Sequence, residues 1–242
     1  DPVTMLMNDQ LRVEGVIPLL EPYSSAPFYK PSIGGTSGET VTQDLLDISG
    51  SNAIVDWIFI ELRAENDMND FVATKRALLQ RDGDVVSSID GISPLEFDGI
   101  PSGNYYVSVK HRNHLGVMTL TPVPFLTGIE TLVDFTTDPV WIRPGETNAP
   151  RNMIDNVWTL WAADANHNKA IKYNGLSNDK QEILNAIGSS TPNNILFPVY
   201  RSEDLNMDAA IKYNNANNDR NVVSNTVGPT TLNNIVNQQT PN

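Results

Sequence analysis

Two sixteen-residue stretches constrain this chain more than any other feature. DANHNKAIKYNGLSND runs from Asp164 to Asp179, and DLNMDAAIKYNNANND runs from Asp204 to Asp219, with nine of sixteen positions identical. The period continues beyond them: Gly188 matches Gly228, and Asn193-Asn194-Ile195 matches Asn233-Asn234-Ile235. A repeat that keeps its apolar positions is a duplicated structural unit rather than low complexity. After each stretch, apolar residues recur at helical spacing, first Ile183, Leu184 and Ile187, then Val222, Val223 and Val227. Helices are predicted to begin near Asp179 and Asp219, where a carboxylate suits the helix dipole. Asn178 and Asn218 stand just before, placed to cap or to contribute an oxygen.

Inside each stretch, oxygen-bearing side chains fall on alternate residues. Calcium takes six to eight hard oxygens, and a short loop supplies them in this way. Positions one, three and five are Asp164, Asn166 and Asn168 in the first loop, and Asp204, Asn206 and Asp208 in the second. Position seven should offer a backbone carbonyl, from Ala170 and Ala210. Position eight should send an aliphatic side chain inward, and it is Ile171 and Ile211. Two departures from the EF-hand order stand out. Lys169 and Ala209 occupy position six, where glycine usually makes the sharp turn. The closing acid comes at position sixteen, as Asp179 and Asp219, while position twelve holds Gly175 and Asn215. The bland alternative is an Asn-rich turn with no ion. The duplication, the inward isoleucine and the late aspartate favour calcium, one ion or two. With three carboxylates against two, the second loop is expected to hold its ion more firmly.

Upstream, residues from about 50 to 136 read as β-structure. Ile54–Leu62 is apolar on both faces, like a central strand. Arg81-Asp82-Gly83-Asp84, between Arg76–Gln80 and Val85–Ser87, signals a hairpin. Leu95 and Phe97, Tyr105–Lys110, Leu115–Thr121 and Thr131–Phe135 supply further strand candidates. Short strands at this spacing suggest an immunoglobulin- or prealbumin-like sandwich. Leu11–Leu20 is strand-like but interrupted by Gly15 and Pro18, and 32–42 reads as a loop. Three prolines, at 139, 144 and 150, mark a boundary.

Bulk properties exclude several roles. The net charge of −13 argues against a nucleic-acid partner and against adsorption to an anionic membrane. It suits an extracellular protein or one that collects cations. With no cysteine, disulfides, thiolate nucleophiles and Cys-based zinc sites are ruled out, which fits a bacterial exported protein. No apolar window is long enough to span a membrane. The chain begins at Asp1 without an initiator Met or a visible signal peptide, and reads as a processed or partial segment.

The paired loops resemble dockerin modules. More widely, the chain is similar to a C-terminal region found in many large secreted proteins of Bacteroidota. The residues that carry this are Leu6-Met7-Asn8-Asp9, Ile17-Pro18-Leu19 with Glu21-Pro22-Tyr23, and Ile54-Val55-Asp56-Trp57 with Glu61-Leu62-Arg63. They continue through 77–83, 103–107, 111–118 and the two Ile-Lys-Tyr…Asn-Asp loops. The resemblance spans nearly the whole chain. Loops of that family usually read DxNxDGxIKYxGxxND, so Lys169 and Ala209 depart from it too. It also implies one more strand before Asp1, so that the sandwich lacks an edge strand or another chain supplies it.

Catalytic readings are weaker. His111 and His114 flank Arg112-Asn113 in a predicted polar hairpin, without a third ligand nearby in sequence. His167 lies at a non-ligand loop position. Gly34–Gly38 fits neither a nucleophile elbow nor a phosphate loop. Asp56 and Glu61 share a strand, where acids are usually solvated or paired. The four tryptophans, at 57, 141, 158 and 161, suit core and junction packing better than a sugar platform.

The expectation is therefore a mainly β protein with a small α part. A β-sandwich spans 1–137, a linker 138–151, and a duplicated dockerin-like domain 152–242, with repeats at about 156–195 and 196–235. The expected role is non-enzymatic: a secreted or cell-surface structural module of an adhesin, appendage or filament, stiffened by Ca2+. Its expected partner is another protein, through self-association or the other domains of a longer chain. The alternatives are a docking module of a secreted hydrolase and a carbohydrate-binding module.

Overall fold

The computed structural model describes residues 4, 6–35 and 37–241. Expectations resting on Asp1 or Thr36 lie outside them. In chain order the elements are α1 (Gln10–Val13), α2 (Gln43–Leu46), β1 (Ile54–Ala64), β2 (Asp67–Gln80), β3 (Val85–Val86), β4 (Gly103–Lys110), β5 (Val117–Met118) and β6 (Val123–Phe125). Then follow β7 (Asn152–Ile154), β8 (Val157–Thr159), β9 (Ala170–Lys172), α3 (Asp179–Ile187), β10 (Ile195–Leu196), β11 (Ile211–Lys212), α4 (Asp219–Val227) and β12 (Ile235–Asn237). The described residues are thus mainly β, with few and short helices. None of those helices is long and apolar enough to cross a membrane.

One antiparallel sheet dominates. Its order is β3-β2-β1-β4-β5, with β6 also on β4. Ile60 of β1 faces Lys75 of β2 on one side and Val109 of β4 on the other. β1 lacks polar alternation because both of its faces are covered. Trp57 and Phe59 pack on one face against Leu11, Ile17, Tyr23, Val41 and Leu46 from the first fifty residues. Ile58, Ile60 and Leu62 pack on the other with Ala77, Val107, Val109 and Val117. The Asp82-Gly83 hairpin forms as its sequence predicts: Gly83 takes φ +104° and joins β2 to β3.

Three strand expectations fail. Leu11–Leu20 contains one helical turn and then irregular chain, because Gly15 at φ +65° and Pro18 break the extension. Leu95 and Phe97, and then Thr131–Phe135, form no strand. Their apolar side chains pack on the sheet from loops, and Val123–Phe125 takes the place beside β4.

The repeats interlock. β9, in the first loop, pairs with β12 after the second helix, while β11, in the second loop, pairs with β10 after the first helix. Each loop thus completes its ladder with the other repeat. Ile171, Ile183, Ile187, Ile211, Val223 and Val227 fill the core between them, as the helical spacing predicts. Leu115, from the sheet region, enters this core too. Segment 138–151 is bonded to both parts: the Trp141 N–H donates to the Met118 carbonyl, and Arg143 donates to Gln239 and Thr240.

Candidate metal centre

The loops share most of their bonds at matching positions. Asp164 Oδ1 and Asn166 Oδ1 both accept from the Asn168 N–H, at 3.0 and 3.1 Å. Asp204 Oδ1 and Asn206 Oδ1 both accept from the Asp208 N–H, each at 3.1 Å. Two side-chain oxygens that share one N–H are held together, so positions one and three converge in both loops. At position five, Asn168 Oδ1 accepts from the Ala170 N–H and Asp208 Oδ1 from the Ala210 N–H. The position-six carbonyls of Lys169 and Ala209 accept from Gln238 and Val199, outside the turn.

The late aspartates close the loops. Asp179 accepts from the Ala165 N–H on one oxygen and from the Lys172 N–H on the other, each at 2.8 Å. Asp219 does the same with Leu205 at 2.7 Å and Lys212 at 2.8 Å. Each is also the first residue of its helix, with Asn178 or Asn218 as N-cap accepting from the N–H three residues on. The displacement to position sixteen therefore lets one carboxylate bind the loop and begin the helix.

The missing glycine carries a conformational cost. Lys169 and Ala209 sit at φ +66° and +63°, and at position four His167 and Met207 both sit at +58°. Non-glycine residues seldom adopt this region. That both copies hold it at the same positions means the loop shape is imposed by the surrounding bonds.

Electrostatics fit a hard cation. Burial pushes Asp164 and Asp204 up to about 6, and Asp179 and Asp219 up to about 7. Repulsion from Asp164 adds to the rise at Asp179, and repulsion from Asp204 to that at Asp219, so each loop sets two acids against each other. Oxygen is the only donor type in either set, which matches calcium rather than zinc or copper. Asp208, the third carboxylate of the second loop, forms an ion pair with Lys212 at 2.6 Å. Among the described residues no three acidic or imidazole side chains form a cluster able to hold a metal by themselves. The first loop would draw on two carboxylates, two amides and a carbonyl, and the second on three carboxylates, one amide and a carbonyl. No family model, curated protein or solved structure matches this chain.

Sequence reasoning missed the polar node behind the loops. His111, Asn113 and His114 make the hydrogen-bonded polar turn expected of them, but His111, Arg112 and Asn113 are also buried. Asp56 Oδ2 accepts from Arg112 Nε at 2.9 Å and lies 3.0 Å from His111 Nε2; Asp56 Oδ1 accepts from the Tyr200 hydroxyl at 2.6 Å. Burial alone would raise the Asp56 carboxyl, but Arg112, His111 and Tyr200 hold it well below the usual carboxylate range. Burial, with His111 and Arg112 alongside, keeps His114 well below the ordinary imidazole value. Arg112 stacks on Tyr200, 4.6 Å from its ring centre, and donates to the Arg201 carbonyl. These contacts weld the sheet to the connector between the repeats. The only sequence signal was Asp56 inside the otherwise apolar run Ile54–Ile60. Glu61, the other acid on β1, is paired with Arg63 at 2.7 Å.

Proposed function

We propose that this chain is a non-enzymatic extracellular structural module, part of a surface adhesin, appendage or filament, whose two dockerin-like loops bind Ca2+. The sheet is the main layer of a sandwich-type module, and the ions rigidify the repeat region packed on it. The observation that carries this is the duplication, at matching positions, of the backbone-binding pattern of two oxygen-lined loops with left-handed residues at the same positions. A loop that merely turned the chain would not need the same constrained geometry twice. Ion binding would then feed directly into folding free energy. The Asp56–His111 pair supports a structural role, because its carboxylate is already occupied by Arg112 and Tyr200.

Calorimetric Ca2+ titration tests the reading on wild type and on the Asp204→Ala, Asp219→Ala double variant. Heat and a rise in melting temperature are expected in wild type, and a smaller stoichiometry in the variant. No heat and no stabilisation in wild type would sink the calcium assignment. Sedimentation with Ca2+ tests the structural role, which predicts ordered self-association. A monomer whose tryptophan fluorescence is quenched by glycans would point to a sugar-binding module instead.

A further inference from the structure

Asn113 touches the first residue of both loops. Its backbone carbonyl accepts from the N–H groups of Ala163 and Asp164, each at 3.1 Å. Its side-chain Nδ2 donates to the carbonyls of Asp204 at 2.7 Å and Ser202 at 3.2 Å. Asn113, Asp164 and Asp204 are all buried. The amide is oriented from behind, with Oδ1 at 2.8 Å from His114 Nδ1 and 3.1 Å from His111 Nδ1. Flipping it would set Oδ1 against two carbonyls and lose both pairs of bonds. One residue of the sheet region therefore serves the first loop through its backbone and the second through its side chain.

We infer that Asn113 is a positioning residue that couples the two loops, so that an ion in one changes the affinity of the other. The inference rests on the calcium reading above. Fixing the Asp204 side chain on an ion fixes its carbonyl, and that carbonyl holds the Asn113 amide. Asn113 then presents a settled carbonyl to Asp164, so the ordering cost falls mainly on the first ion bound. The coupling is reciprocal by linkage.

Stepwise calorimetry on the full chain decides it. Affinities in wild type are compared with those of Asp179→Ala, which disables the first loop, and Asp219→Ala, which disables the second. Filling one loop is expected to tighten the other about five-fold or more. Asn113→Ala should keep both ions with coupling below about two-fold. Independent loops in wild type, or coupling that persists in Asn113→Ala, overturns the inference. Should Asn113→Ala fail to fold, hydrogen exchange replaces it: in Asp179→Ala, Ca2+ at the second loop should slow the Ala163 and Asp164 amides, and unchanged exchange is equally fatal. If wild type takes up no ion, the calcium reading falls by itself. The bridge is then judged in ion-free protein, where Asn113→Ala should speed exchange in both loops, and an effect confined to one refutes it.

Discussion

Asp56 and Tyr200 lie 144 residues apart, yet the Tyr200 hydroxyl donates to Asp56 Oδ1 at 2.6 Å. The acid comes from the central strand and the phenol from the connector between the repeats. Together with Arg112 they make the seam between sheet and repeats a buried, charged junction. Such a junction specifies how two parts meet, because any misalignment leaves a buried charge unpaired.

Breaking this node should be among the most damaging single changes. Asp56→Asn leaves Arg112 buried without its counter-ion and should lose about 3–5 kcal/mol. Tyr200→Phe removes one hydrogen bond to a charged group and should lose about 1.5–3 kcal/mol. Urea unfolding measures both. Losses under about 0.5 kcal/mol, the range of an ordinary surface change, would show that the node does not hold the parts together.

The left-handed residues give a contrast between the loops. Lys169→Gly should relieve about 1 kcal/mol of backbone strain, because glycine adopts φ +66° without steric penalty, and the net gain is that relief less what the Lys169 side chain contributes. Ala209 has the same backbone conformation, but its methyl is buried against the sheet region. Ala209→Gly forfeits about 0.8 kcal/mol of burial and should come out near neutral. Thermal melts of the two variants, side by side, separate backbone strain from packing. Equal stabilisation of both would mean that the Ala209 methyl contributes no more than the Lys169 side chain.

These two sites also show what was legible in advance. The bonds made by the side chains of Asp164, Asp179, Asp204 and Asp219 within each loop join residues no more than fourteen positions apart. Their oxygen-bearing positions, the inward isoleucine and the helix start could therefore be read from local spacing, because the repeat carries each of them twice. The Asp56 node joins residues 55, 56 and 144 positions apart. A stretch reading His-Arg-Asn-His suggests a polar turn held by its own hydrogen bonds, and nothing local says that an acid from β1 will meet it. The crossed pairing of β9 with β12 and β10 with β11 was hidden for the same reason. In the first fifty residues the apolar pattern suggested a strand, but the large side chains serve as a cover for Trp57 and Phe59, which needs no regular backbone.

Lys110 should make stability depend on pH. It is buried and donates to Thr240 Oγ1 at 2.8 Å, and burial pulls its ammonium down to about 7, against partial support from Glu61. A cation whose folded pKa is depressed is bound to fewer protons in the native state than in the unfolded chain. Stability is therefore lowest below about pH 7 and rises as pH climbs from there towards the unfolded lysine value. The slope for one proton is at most about 1.4 kcal/mol per pH unit. The window from about pH 7.5 to 9.5 lies above the carboxylates and below the ordinary tyrosine value, and Lys30, also lowered by burial, contributes there in the same direction. Denaturation across that window should show the rise in wild type and a shallower one in Lys110→Met. A rise undiminished by the substitution would assign it to another group.

The Asp208–Lys212 pair separates the two loops as ion sites. At 2.6 Å, with both side chains partly exposed, Lys212 Nζ competes for the carboxylate that distinguishes the second loop. In the first loop Lys172 occupies the same place, but its counterpart at position five is the neutral Asn168. Lys212→Met should free Asp208 and remove a cation beside the site, while Lys172→Met should change little. A partly exposed pair contributes up to about 1 kcal/mol, so the gain in Ca2+ affinity at the second loop should be up to about five-fold. Calorimetry at low salt, with Asp179→Ala silencing the first loop, resolves that difference. An unchanged affinity in Lys212→Met would mean that Asp208 does not serve as a ligand, and would leave the second loop with the same two carboxylates as the first.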